Sequence, residues 1–91
     1  MYKVIRTSQF KKAFKRCLKR NLDIKAFEEV IGILATSGTL PIKYKPHKLS
    51  SKYKNAWECH IASDWLLVWE QEDDTLTLIL IDTGSHSDIF G

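Results

Sequence analysis

The sequence predicts an α+β domain: a short first strand and a helical hairpin, followed by a three-stranded antiparallel meander. Three patterns carry that expectation. Apolar residues recur at helical spacing through residues 9–36, apolar and polar residues alternate from Asn55 onward, and the chain opens on a brief alternating stretch. At 91 residues it is expected to be one domain, residues 1–91, with a single modest core.

In chain order, residues 2–6 alternate Tyr2, Val4 and Arg6 with Lys3 and Ile5 and read as a strand. Thr7 or Ser8 can accept the free amide hydrogens of a first helical turn. Over residues 9–20, Phe10, Ala13, Phe14, Cys17 and Leu18 share one side, and Lys11, Lys12, Lys15, Arg16, Lys19 and Arg20 lie opposite them. Asn21 suits a left-handed stop and Asp23 an N-cap, so a second helix is expected from about Ile24 to Thr36, with Ile24, Phe27, Val30, Ile31 and Leu34 on its apolar side. Ser37-Gly38 ends it. Thr39 to Ser51 reads as a loop, with Pro41 and Pro46, and with Tyr44 and Tyr53 among Lys43, Lys45, Lys48, Lys52 and Lys54. That mixture suits a surface that grips phosphates and stacks bases, and it equally suits tyrosines that anchor a long loop. Trp57 to Ala62, Trp65 to Trp69 and Thr75 to Ile81 then read as strands with short connections, the helices covering one face of the sheet and leaving the other available. The tail from Asp82 to Gly91 carries His86 and Phe90 where the last strand is expected to stop. It reads either as the rim of a site or as a polar end with Phe90 folded onto the core.

Charge is divided sharply along the chain. All 14 Lys and Arg residues lie in residues 1–54 against three acids, a balance of +11, whereas residues 55–91 carry eight acids and no Lys or Arg, a balance of −8. A half this basic attracts a polyanion such as RNA, or an acidic protein. No segment is apolar and long enough to suggest a signal sequence or a membrane span, so a cytoplasmic protein is expected. Cys17 and Cys59 stand 42 residues apart without metal-ligand or framework spacing and read as buried thiols.

The residues able to do chemistry are His47, His60, Asp64 and His86, with Glu58 beside them. Counted along the strand, Glu58 and His60 share a face opposite Trp57, Cys59 and Ile61, and Asp64 follows in the next connection. Cleavage of an RNA phosphodiester by its own 2′-hydroxyl needs a base, an acid for the leaving 5′-oxygen, and positive charge or donors for the phosphate. Histidines and a carboxylate meet the proton-transfer requirement without a cofactor. Zinc binding by the same residues ranks below acid–base work, because His60 and Asp64, four apart, do not share a helix face.

Three separated motifs carry a resemblance. Pro46-His47-Lys48-Leu49, Trp57-Glu58-Cys59-His60-Ile61-Ala62-Ser63-Asp64-Trp65-Leu66-Leu67-Val68 and Thr83-Gly84-Ser85-His86-Ser87-Asp88-Ile89-Phe90 closely resemble the YafQ-type branch of the RelE/ParE superfamily of bacterial type II toxins. The resemblance covers nearly the whole chain. It implies a RelE-like microbial ribonuclease fold and a toxin that cuts mRNA in the A site of the small ribosomal subunit without a metal. It also implies a co-expressed DinJ-like antitoxin of the ribbon-helix-helix type. The functional positions it implies are His47, His60, Asp64, Trp65, His86 and Phe90. Lys48, Lys52 and Lys54 are expected to hold RNA backbone, and Trp65 or Phe90 to stack on a base.

Two positions depart from the family's pattern. Trp57 and Asp82 stand where it usually has arginines, and the second arginine is a phosphate contact. Losing such a group costs about 10²-fold or more in rate. Two expectations follow: a metal-independent endoribonuclease with His86 as acid, His60 or Asp64 as base and His47 in support; or a toxin-fold module, attenuated by Asp82, that binds antitoxin or ribosomal RNA without efficient cleavage.

Overall fold

A computed structural model describes every residue from Met1 to Gly91. The first strand, β1 (Lys3–Arg6), lies parallel to β5 (Thr77–Gly84), so all the chain between them forms the crossover that a parallel pair requires. Thr7 ends β1 and caps α1 (Ser8–Lys19), its hydroxyl accepting from the Phe10 amide at 3.1 Å. Asp23 caps α2 (Ile24–Ser37) through the Lys25 amide at 3.0 Å. Gly38 stops that helix at φ 73°, where a Cβ would fall 2.5 Å from the Tyr2 hydroxyl.

A 3-10 turn at Ile42–Tyr44 leads to β2 (His47–Lys48), then β3 (Trp57–Ala62), β4 (Trp65–Glu72), β5 and α3 (His86–Phe90). The strands form one sheet in the order β1-β5-β4-β3-β2, antiparallel except at the β1–β5 pair. Phe10 and Cys17 of α1 and Phe27, Val30 and Leu34 of α2 bury against Cys59, Ile61, Trp65, Leu67, Trp69, Leu78 and Leu80. That face is the main core, and both cysteines are buried free thiols within it, Cys59 pushed up to about 12 by desolvation. No helix is long and apolar enough to cross a membrane.

The expected architecture is present, with four differences. The loop after α2 contains the 3-10 turn and β2, because His47 and Lys48 pair with Glu58 and Trp57. The last strand starts at Thr77 and continues through Gly84, well past Ile81. Asp82 and Thr83 are tolerated in it because their polar atoms are bonded: Thr83 Oγ1 donates to the Leu66 carbonyl at 2.7 Å and accepts from Trp65 Nε1 at 2.8 Å. The tail is helical, started by a capping box between Ser85 and Asp88. Finally, the second sheet face is not left bare. Ala56, Leu66, Val68 and Ile89 form a smaller cluster there, with Leu49, Tyr53 and Ile81 packed against it.

Candidate active site

α3 brings His86 to the connection between β3 and β4. Asp64 in that connection accepts from the His86 backbone amide at 3.2 Å, and the same oxygen lies 3.3 Å from His86 Nδ1. The amide bond, followed by the ring bond, holds the Asp64 carboxyl below its usual range. With Nδ1 turned to a carboxylate, Nε2 is the His86 nitrogen left to exchange a proton. The His60 ring meets His86 edge-on with centroids 5.8 Å apart. Burial, then the Lys45 ammonium, pushes His60 below its ordinary value, which favours a neutral imidazole. Phe90, 41% exposed, sits 6.4 Å from His86.

His47 stands on the edge strand directly across from Glu58. Its Nδ1 is 2.9 Å from the Lys45 carbonyl and its Nε2 3.2 Å from Glu58 Oε1. The first is a hydrogen bond and the second a contact at ion-pair distance. Glu58 is only 3% exposed and its Oε2 has no partner. Between His60 and the lysines lies an open cleft of about 590 Å³, lined by Lys43, Tyr44, Lys45, His60, Ile61, Ala62 and Ser63.

The four expected acid–base residues thus fall into two groups on one sheet face: His60, Asp64 and His86 together, and His47 with Glu58 beside them. The other expectations divide. Phe90 is at the rim as expected. Trp65 is not: it is 2% exposed, points into the main core beside Phe27, and bonds Thr83, so it has no face to offer a base. Lys48 stands 5.7 Å over the Trp57 ring on the opposite side of the edge strand from His47. Lys52 donates to the Ile89 carbonyl at the end of α3, and Lys54 is exposed. Tyr44 and Tyr53 are loop anchors, their hydroxyls donating to Glu29 at 2.7 Å and to Asp82 at 2.8 Å. Asp82 is not gathered with the histidines.

The pairing of Asp88 with Arg16 and Arg20 escaped the sequence reading. Arg20 clamps Asp88 with both guanidinium nitrogens at 2.5 and 3.2 Å, and Arg16 lies 3.9 Å from the same carboxylate. Arg20, then the Ser85 amide, hold the Asp88 carboxyl far below its usual range. Part of the basic stripe of α1 is therefore spent on positioning the helix that carries His86. Gly84, at φ 147°, admits this approach, since a Cβ there would meet Asp88 at 2.7 Å. The available signal was two arginines one helical turn apart with no acid on their own helix.

Residues 2–91 match the family model described as bacterial toxin of type II toxin-antitoxin system, YafQ. The chain belongs to the YafQ family. Among curated relatives, the mRNA interferase toxin YafQ of Escherichia coli (strain B / BL21-DE3) is 31% identical over 86 residues, covering 93% of this chain and 91% of that one. A metal-bound toxin from Helicobacter pylori is 38% identical with a TM-score of 0.88, covering 99% of this chain and all of the other. YafQ from the E. coli DinJ–YafQ complex is 29% identical with a TM-score of 0.88 over the full length of both chains. Within the YafQ fold of this chain, no three His, Cys, Asp or Glu side chains gather closely enough to hold a metal ion.

Proposed function

We propose that this chain is an mRNA interferase, an endoribonuclease toxin acting by acid–base catalysis on ribosome-bound mRNA and neutralised by a DinJ-like antitoxin in the cytoplasm. The single observation that carries the reading is the His60–His86–Asp64 cluster, two imidazoles edge to edge with one oriented by a carboxylate. His60, kept neutral, takes the proton of a 2′-hydroxyl, and that oxygen attacks the adjacent phosphorus. His86, oriented through Nδ1, gives the Nε2 proton of its imidazolium to the departing 5′-oxygen, leaving a 2′,3′-cyclic phosphate. Lys45, whose charge acts on His60, supplies positive charge toward the phosphate, with His47 in support. Phe90 offers a face on which a base can stack. The family membership, the relative named as an mRNA interferase and the basic first half of the chain support this reading. Every step runs through side chains, so cleavage is expected to survive chelators.

The test is expression without a partner in growing cells, with mRNA 5′ ends mapped. Codon-phased cuts that cease when the antitoxin is supplied support the reading; growth arrest with intact mRNA overturns it. The second reading, a module that binds antitoxin or ribosomal RNA with little turnover, rests on Asp82 standing at a position where the family's pattern has an arginine.

His60 gives the activity an expected pH dependence. A base acts in its neutral form, so a lowered proton affinity extends activity to more acid solution. The acid limb of the rate is expected below pH 6.5, the ordinary histidine value. Glu58 opposes the shift, and Lys45, His86 and His47 reinforce it. Lys45→Ala should move the limb upward in a pH–rate profile; an unmoved limb assigns the base elsewhere.

A further inference from the structure

β1 ends at Arg6, level with Leu80, so the last residues of β5 pair with β4 and have no strand on their other side. α1 fills that edge: Arg16 donates to the Thr83 carbonyl at 3.3 Å, and Gln9 reaches Asp82 Oδ2 at 3.3 Å. Asp82 is 7% exposed and both its oxygens are taken. Oδ1 accepts from the Thr83 amide at 2.8 Å, and Oδ2 accepts from the Tyr53 hydroxyl at 2.8 Å as well as from Gln9. Gln9 also donates to the Tyr53 oxygen at 2.6 Å, closing a three-residue ring among helix, strand and loop.

Tyr53 is held with φ 61°, a left-handed conformation that a bulky side chain adopts only when its surroundings impose it. Its neighbour Lys52 bonds the Ile89 carbonyl on α3. Asp82, Tyr53, Lys52, Arg16 and Asp88 all line one cleft of about 350 Å³ between α1, the loop and α3.

We propose that Asp82 is a positioning residue: it clasps Tyr53 and thereby fixes, through Lys52, the helix that presents His86 and Phe90. The proposal rests on the ribonuclease reading for its effect on rate, and on geometry alone for its effect on α3. It changes the meaning of the departure from the family's pattern. A carboxylate with both oxygens bonded to protein donors is framework, with its acceptors taken up by helix, loop and strand.

Tyr53→Phe removes one hydroxyl and no volume, so it isolates the clasp. In ribosome-bound mRNA cleavage, kcat is expected to fall by between about 10-fold and 10²-fold with KM changed less than about twofold, as for a slight misplacement of a catalytic group. In the free protein, the ring resonances of His86 and Phe90 should shift, and the melting transition should stay cooperative. Asp82→Asn, which keeps the shape and one acceptor, should retain more activity than Asp82→Leu and should not exceed the wild type. Cleavage by Asp82→Asn or Asp82→Arg faster than the wild type would show that the carboxylate faces substrate and would overturn the proposal. So would Tyr53→Phe with unchanged His86 resonances. The resonance measurement needs no substrate, so it decides the clasp even where a wild-type protein without cleavage defeats the ribonuclease reading.

Discussion

His86→Ala should lower mRNA cleavage by about 10²-fold to 10⁴-fold, the range for removing a positioned proton donor, and leave folding cooperative. Its ring is more than half exposed, so truncation opens no buried cavity. What is lost is the proton for the 5′-oxygen, and Asp64 keeps its bond to the residue's backbone amide, which alanine retains. The specific signature is the leaving group. A substrate whose 5′-oxygen is replaced by sulfur needs little protonation to depart, and should be cut by His86→Ala nearly as fast as by the wild type. Equal losses on both substrates would move His86 from acid to a binding role. Ends mapped in cells expressing the variant alone provide the parallel measurement.

Trp65→Ala should cost about 3–5 kcal/mol in denaturant unfolding, a large share of the stability of a domain this size. Trp65 stacks at 6.2 Å on Phe27 and closes the main core beneath the β3–β4 turn. Its Nε1 donates to the Thr83 hydroxyl, so truncation also removes one of the two hydrogen bonds of that buried group, leaving its bond to the Leu66 carbonyl. Trp65→Phe should recover most of the loss, since it keeps an aromatic plane against Phe27. Activity lost in Trp65→Ala at full stability would contradict the core role and return the residue to base stacking.

The contrast between Trp65 and the histidines shows what the sequence makes legible. Period two along β3 placed Glu58 and His60 together opposite Trp57, Cys59 and Ile61, and the sheet keeps that division. The same counting along β4 sets Trp65 with Leu67 and Trp69, a core face, and the motif resemblance drew it toward substrate instead. Asp82 defeated counting for another reason. A register irregularity between Val68 and Trp69 leaves Ile81 unmatched and turns Leu80 and Asp82 to opposite faces. α3 was hidden because five residues carry almost no helical periodicity, and its stability comes from Ser85, Arg20 and Lys52, remote in sequence or outside the pattern. The two-residue β2 exists only through Glu58 and Trp57 across from it, a partnership no local window contains.

The parallel pairing of β1 with β5 sets an order of assembly during synthesis. β5 is the strand that joins β1 to β4 and the surface on which α1 rests, yet it is made after all of them. A nascent chain that has reached residue 76 carries the residues of both helices and of β1 to β4, and lacks Asp82 and the whole of α3. The long-range closure is slow by nature, and the His60–His86–Asp64 cluster is completed only by it. A chain assembled this way gains its proposed cutting centre only once its last-made strand has docked, giving a partner that binds the unfinished chain time to arrive first.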